Sequence, residues 1–387
     1  MTLGHCFKIR FFFLATVLSI GFGSMSSALA LDAYFIIDTT NKGWIRLGNL
    51  GKEFRDHATD INDAGQVVGH FGSLTGPTRA FITGPNGVGM TDLGTLGGGS
   101  AQAFGINDAG QVTGGSGLPL GVAGHAFITG PNGMGMTDLG ALERPNSVGV
   151  AINDSGRVTG YSNTPINADS RAFITGLNGE GMTALDTCFL CSSVGIDINN
   201  AGQVVGYSQT ELASPRRAFI TGPNGGGMVD LGTLGGDESV ARRINDSGQV
   251  VGYARTAEGL EHAFITGPNG RGMTDLGTLG GRASRADGIN NAGEVVGESL
   301  TAGGDYHAFI TGPNGVGMTD LNSLVDLPDG VSLRSAFGIN NNGQVIAAGP
   351  VPEPETFAML LVGLALVGYI ARGRKAEKTL ALMASED

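Results

Sequence analysis

One unit of about 45 residues recurs along this chain of 387, and that period constrains the fold more than composition does. The string Ala-Phe-Ile-Thr-Gly begins at Ala80, Ala126, Ala172, Ala218, Ala263 and Ala308. A second string, Ile-Asn-Asp/Asn-x-Gly-x-Val, begins at Ile61, Ile106, Ile152, Ile198, Ile244, Ile289 and Ile339. A period in this range marks a solenoid, a propeller or an array. A side chain repeated in every unit is first a framework residue, so function is sought where the copies differ.

Within the unit that starts at Val240, Val-Ala-Arg-Arg-Ile leads into the turn formers Asn245-Asp246-Ser247-Gly248. Gln249 to Tyr253, Ala263 to Thr266 and Met273 to Leu276 follow, the last two separated by Gly-Pro-Asn-Gly-Arg-Gly. Four short strand-forming runs divided by turn chemistry predict an antiparallel meander. Asn-Asp-x-Gly fits a type I turn with a G1 bulge, and in Pro-Asn-Gly the Pro fixes φ and the Gly relieves it.

The ends of the repeat region are half-units. Tyr34-Phe35-Ile36-Ile37 reads as a third strand and Trp44 to Gly48 as a fourth. Ala336 to Ile339 reads as a first strand and Gln344 to Ile346 as a second. Joined, they make one more unit. An open solenoid has no reason to split a unit so evenly and needs polar caps, whereas ring closure removes the free sheet edges. The expected fold is all-β: a seven-bladed β-propeller of four-stranded antiparallel blades, closed by pairing the N-terminal third and fourth strands with the C-terminal first and second.

Composition agrees with a turn-rich body. The chain has 68 Gly, 6 % aromatic and 15 % charged residues. The net charge is −12, and residues 31–351 carry 17 basic against 30 acidic side chains. Such a body excludes binding nucleic acid or anionic lipid through a general electrostatic footprint.

Two targeting segments bracket the repeats. Lys8 and Arg10 precede an apolar run from Phe11 to Phe22, and small residues follow, ending Ala28-Leu29-Ala30. Residues 1–30 therefore read as a secretory signal peptide with cleavage after Ala30. Residues 31–349 are the propeller. Residues 350–375 carry Pro352-Glu353-Pro354, an apolar stretch over residues 357–371, then Arg372, Arg374 and Lys375. A fifteen-residue helix rises about 22 Å, short of a ~30 Å hydrocarbon core, which suits a transient anchor and confines membrane contact to this segment. Residues 376–387 form a short tail. Cys188 and Cys191 are the cysteines left after signal removal, and in an oxidising compartment they read as a local disulfide.

The Pro-Glu-Pro triplet, apolar helix and basic cluster resemble a PEP-CTERM sorting signal. That resemblance implies processing by an exosortase-type protease after passage through the secretion machinery, and delivery to the surface of a Gram-negative bacterium, often one making exopolysaccharide. Chains with this signal usually stop soon after the basic cluster, whereas this one continues to Asp387. The repeat resembles the HAF family of extracellular repeats. His125-Ala126-Phe127, His262-Ala263-Phe264 and His307-Ala308-Phe309 carry the string outright, and Arg79, Arg171 and Arg217 replace its His. The family implies secretion and no known activity.

Candidate chemistry is sparse. The Arg or His before each third strand faces Asp92, Asp138, Asp230, Asp275 or Asp320, with Arg79 expected beside Asp92 or one position off. This reads as a cross-strand pair in each blade, not as a ring gripping an anion. Arg171 faces Ala184 and stays unexplained. The Asn-Asp pairs at Asn62, Asn107, Asn153 and Asn245 read as turns, since they lack calcium-loop spacing. No catalytic motif, metal site or cofactor site is present in the sequence. Acids outside the pattern (Glu143, Asp169, Glu211, Glu238, Glu258, Glu298, Asp305) are scattered, and nothing picks out a pair. Connections between second and third strands, and between blades, vary freely and share one face, where binding residues concentrate. Trp44 reads as core or closure staple. The expectation is a secreted or cell-surface non-catalytic scaffold, not an enzyme, within an extracellular matrix or exopolysaccharide layer. A glycan-binding propeller is the first alternative and a propeller lyase or glycosidase the second, with extracellular polysaccharide the candidate partner.

Overall fold

Turn chemistry decides each blade. In blade 2, strands Ala101–Ile106, Val112–Gly117, Gly124–Thr129 and Met136–Asp138 pair antiparallel in chain order. The Asn107-to-Gly110 turn closes with the Gly110 N–H donating to the Asn107 carbonyl at 2.9 Å, with Gly110 at φ +72°. The Pro131-Asn132-Gly133 turn is a single 3₁₀ turn in which Asn132 also takes a left-handed φ of +54°. Glycine alone therefore does not relieve this loop; Asn, which tolerates that region, shares the load. Each first strand bulges near its end, as between Ala103 and Gly105.

The computed structural model describes residues 32–48, 55–72, 76–121, 123–143, 145–163, 170–185, 192–210 and 214–351. Residues Ala33–Gly349 form one compact unit of seven four-stranded sheets. Blade 1 runs from strand Arg55–Ile61 to Thr91–Asp92, blade 3 from Ser147–Ile152 to Met182–Ala184, and blade 4 from Ser192–Ile198 to Met228–Asp230. Blade 5 runs from Gly235–Ile244 to Met273–Gly277 and blade 6 from Gly280–Ile289 to Met318–Asp320. Blade 7 is composite: Ser335–Ile339, Gln344–Pro350, then Asp32–Asp38 and Gly43–Arg46. The expected closure is therefore present. It is fastened by Thr39, whose N–H and Oγ1 both donate to the Gly343 carbonyl, at 3.1 and 2.9 Å. Trp44 is 37 % exposed, so it is not core, and its indole N–H donates to the Asp326 carbonyl at 2.9 Å.

The expected signal segment with Ala30, the pair Cys188 and Cys191, and the sorting residues Pro352, Glu353, Pro354, Arg372, Arg374 and Lys375 lie outside the described residues. Among the described residues no helix is long and apolar enough to cross a membrane.

Seven phenylalanines, one in each third strand from Phe35 to Phe309, are fully buried and set the spacing of the blades. Phe127 packs with Val68, Ala80 and Ile82 of the preceding blade, so the core lies in the seams between sheets. Full burial of one such ring stabilises by about 1.5–3 kcal/mol. Serines stitch the same seams: Ser239 Oγ accepts the Ala218 N–H at 3.0 Å and donates to the Gly232 carbonyl at 2.7 Å. In the second strand a glycine is required by close approach. A Cβ at Gly69 would sit 1.9 Å from the His57 carbonyl oxygen.

The repeated ion pairs form as expected, at 2.6 Å for Arg79 with Asp92 and 2.8 Å for His262 with Asp275. Their register is corrected. Phe81, not Arg79, lies opposite Asp92, so the charged groups meet diagonally, two positions apart on one face. Arg171 finds a different partner: its Nη1 is 2.9 Å from Glu143 Oε1, supplied by the connection between blades 2 and 3.

Candidate functional site: the channel and the loop face

The first strands are innermost and surround an axial channel with an opening of about 180 Å³. Its mouth is built from the Ile-Asn-Asp/Asn turns. Asn62 donates its side-chain N–H to the Asn107 carbonyl, Asn107 to Asn153, Asn153 to Asn199, Asn199 to Asn245, Asn245 to Asn290 and Asn290 to Asn340. Asn340 then donates to Asn62, completing a ring. A second ring uses the next residue. The Asp63 N–H donates to Asp108 Oδ1 at 3.0 Å, and the series continues through Asp154, Asn200, Asp246, Asn291 and Asn341 back to Asp63. These residues thus do more than form turns: each joins its blade to the next.

The mouth is acidic, since Asp63, Asp108, Asp154 and Asp246 occupy four of the seven positions in that second ring. Burial raises the Asp108 carboxyl above the usual carboxylate range, and the nearby carboxylates of Asp63, Asp154 and Asp246 add to it against the N–H bond from Asp63. Arg243 lines the channel with Asp60 and Asp197, and these carboxylates, with Asp287 beyond the lining, raise its pKa although burial alone would lower it. Burial pushes Asp197 up to about 6 against the pull of Arg243, and raises Asp60 in the same way. Asp60 Oδ2 accepts the Ile106 N–H at 3.1 Å and Asp197 Oδ2 the Ile244 N–H at 2.8 Å, each from the next blade. Carboxylates therefore converge on the channel, a correction to the expectation that no acids would be picked out together. The signal was present in the sequence: Asp60, Asp197 and Arg243 sit where other units carry Gly or Ala. Among the described residues, no group of three or more His, Cys, Asp or Glu side chains is arranged to hold a metal ion.

The opposite face carries the variable connections. The Pro-Asn-Gly turns hydrogen-bond to the Asn-Asp-x-Gly turns, as Gly87 N–H does to the Gly65 carbonyl at 2.9 Å, so both lie on the uniform face. Toward the loop face, side chains differ from blade to blade. Blades 4 to 6 present a charged set: Arg216 stacks on Tyr207 at 5.0 Å, and Arg285 stacks on Tyr253 at 5.0 Å. Arg242 pairs with Asp287 at 3.0 Å, and Ser335 Oγ donates to Glu298 Oε2 at 2.7 Å. Of the scattered acids, Glu238 pairs with Arg255 at 3.2 Å. Blades 7, 1 and 2 present rings instead. Tyr34 Oη lies 2.8 Å from His57 Nδ1, His57 stacks on His70 at 5.2 Å, and Phe104 meets His70 edge-on at 6.1 Å. Burial, and next the His57 ring, lower His70 to a pKa of about 4.

The model of the PEP-CTERM protein-sorting motif matches residues 350–375. No curated protein matches the sequence. Among solved structures, the β-propeller domain of the Trilobed protease from Pyrococcus furiosus is similar at a TM-score of 0.51 and 11 % identity, over 76 % of this chain and 90 % of that one. A prolyl endopeptidase is similar at a TM-score of 0.50 and 10 % identity, over 73 % of this chain and 45 % of its own. TolB from Acinetobacter baumannii matches at a TM-score of 0.41 and 9 % identity, over 82 % of this chain and 63 % of its own. The chain thus spans less than two thirds of the length of these last two. The likeness to the Trilobed protease domain shows the propeller fold alone.

Proposed function

We propose that this chain is a non-catalytic scaffold of the cell surface or extracellular layer that binds through its loop face. The sorting motif marks an exported, surface-sorted protein whose C-terminal segment is processed by an exosortase at the membrane. One observation carries the binding reading. Apart from the channel group Asp60, Asp197 and Arg243, side chains that escape the repeat gather toward one face, as in the Arg216–Tyr207 and Arg285–Tyr253 stacks, while the opposite face repeats the same turns. A rigid ring carrying one individual face is the usual arrangement of a binding scaffold. The non-catalytic part rests on the engagement of the channel carboxylates with neighbouring backbone N–H groups, which makes them joints of the ring.

Localisation with and without residues 352–387 tests the first half: removal should leave export intact and abolish membrane anchoring, so that what stays on the surface is held by the loop face alone. Unchanged anchoring would defeat it. The second half is tested by adding back the tail-less protein to cells that lack the chain. The triple variant R216A/R242A/R285A should lose retention, while the uniform-framework variant R217A retains it; equal retention would overturn the loop-face reading.

A further inference from the structure

One seam of the ring opens into a cavity among the described residues, and its chemistry points to a ligand. The residue after the second-strand glycine (or its Ala347 counterpart) differs from blade to blade, and in several it bridges to the next blade. The series reads His70, Gly115, Tyr161, Tyr207, Tyr253, Glu298 and Ala348. Three seams show the bridge directly: His70 meets Phe104, Tyr253 receives Arg285, and Glu298 accepts from Ser335. The Ala348 seam is spanned instead by Tyr34 reaching His57. At Gly115 no side chain exists to cross, and a cavity of about 460 Å³ opens between blades 2 and 3. That volume lies within the range of small-molecule sites.

The lining is specific. Phe104 and Tyr161 supply two half-buried aromatic rings, and Gln102, Asn146, Asn163 and Ser100 supply amides and a hydroxyl. Among the described residues no lining side chain is charged at neutral pH, although the protein as a whole carries −12. The Gln102 amide and the Tyr161 hydroxyl make no hydrogen bond among the described residues. Two aromatic surfaces with uncharged donors and acceptors match a molecule with an apolar face and a rim of hydroxyls. A charged ligand would find no counterion among the described lining residues and would bear its desolvation uncompensated.

We propose that the cavity at Gly115 is a binding site for a neutral monosaccharide unit, placed against Phe104 and Tyr161 and hydrogen-bonded by Gln102 and Asn163. This deepens the binding-scaffold reading of the loop face by naming a ligand class. The fold itself supplies the blocking variant. Tyr stands at the Gly115 position in blades 3 and 4, where the next blade offers Val194 and Val240, the counterparts of Val148. A Cβ on Gly115 would meet Val148 Cγ2 at 3.5 Å, an ordinary contact.

Saturation-transfer NMR and titration of the purified protein with glucose, galactose, mannose, N-acetylglucosamine and glucuronic acid test the site. At least one neutral sugar should bind and glucuronic acid should not. Gly115→Tyr should abolish binding with an unchanged melting temperature, and Gln102→Ala should weaken it about five- to tenfold, the scale of one lost hydrogen bond. Absence of binding by every neutral sugar, preference for glucuronic acid, or full affinity in Gly115→Tyr would overturn the proposal. Should Gly115→Tyr melt early, Gln102→Ala decides, and unchanged affinity there would overturn it. Cell-surface retention lost in R216A/R242A/R285A but unaffected in the pocket variants would sink the sugar site while leaving the loop-face reading standing.

Discussion

Asn340 donates its side-chain N–H to the carbonyl of Asn62 at 2.9 Å, and this bond between residues 278 positions apart closes a ring of seven. The same asparagine also donates to Gln344 Oε1 at 2.8 Å and accepts the Gln344 N–H at 2.9 Å. One buried side chain thus holds its own turn and the next blade. Removal leaves carbonyls and an N–H unsatisfied in a water-poor setting, so Asn340→Ala should cost about 1–3 kcal/mol. Urea unfolding of Asn340→Ala beside Asn153→Ala checks it. Similar losses are expected, because closure and interior seams use the same bond.

Arg243 neutralises a channel that otherwise gathers Asp60 and Asp197, while Asp287 is held by Arg242. Arg243→Leu leaves the channel-lining Asp60 and Asp197 without their countercharge and should destabilise by about 1 kcal/mol. Adding Asp60→Asn and Asp197→Asn to that variant should recover part of the loss. A double-mutant cycle by chemical denaturation measures the coupling; purely additive costs would refute it.

His70 makes stability depend on pH. Its native pKa is lowered from 6.5 to about 4, so the unfolded chain binds a proton that the native ring excludes between those values. This contribution is level above pH 6.5, declines as pH falls toward 4, and is fully lost below. Melting temperatures over that window should show a slope in the wild type that His70→Phe reduces.

Second-strand glycines answer to a carbonyl, not to a turn. A Cβ at Gly206 would lie 1.9 Å from the Val194 oxygen, so Gly206→Ala should cost about 1–3 kcal/mol through overpacking. Blade 7 already carries Ala347 in the equivalent place, so Ala347→Gly should gain little. Thermal melts of both variants make the comparison.

The repeated ion pairs are framework at the surface. Arg217 and Asp230 are both exposed at 3.1 Å, and Arg217→Ala should change stability by no more than about 1 kcal/mol. A larger loss in urea titration would show that the diagonal pair does more than decorate the sheet.

Much of this was legible in the chain because it is local. A turn needs only its own four residues, so Asn-Asp-x-Gly and Pro-Asn-Gly announced their hairpins, and the split units at Tyr34 and Ala336 announced closure. Arg171 was not legible, since its partner Glu143 comes from a connection outside the register of its own hairpin. The diagonal offset of Arg79 and Asp92 was also hidden, because the Pro-Asn-Gly-x-Gly loop consumes residues that the pattern alone cannot assign to loop or strand.

The amino-acid sequence by itself determined the strands, the number of blades and the joining of the two ends, because each depends on period and turn chemistry along the chain. Only the tertiary structure decided what the seven copies make together. Side chains about 46 residues apart meet around one axis, so the asparagine ring, the Arg243 carboxylate cluster and the open seam at Gly115 exist only once the blades are in place. Each arises from rotation of one unit against the next, a relation that no single unit contains.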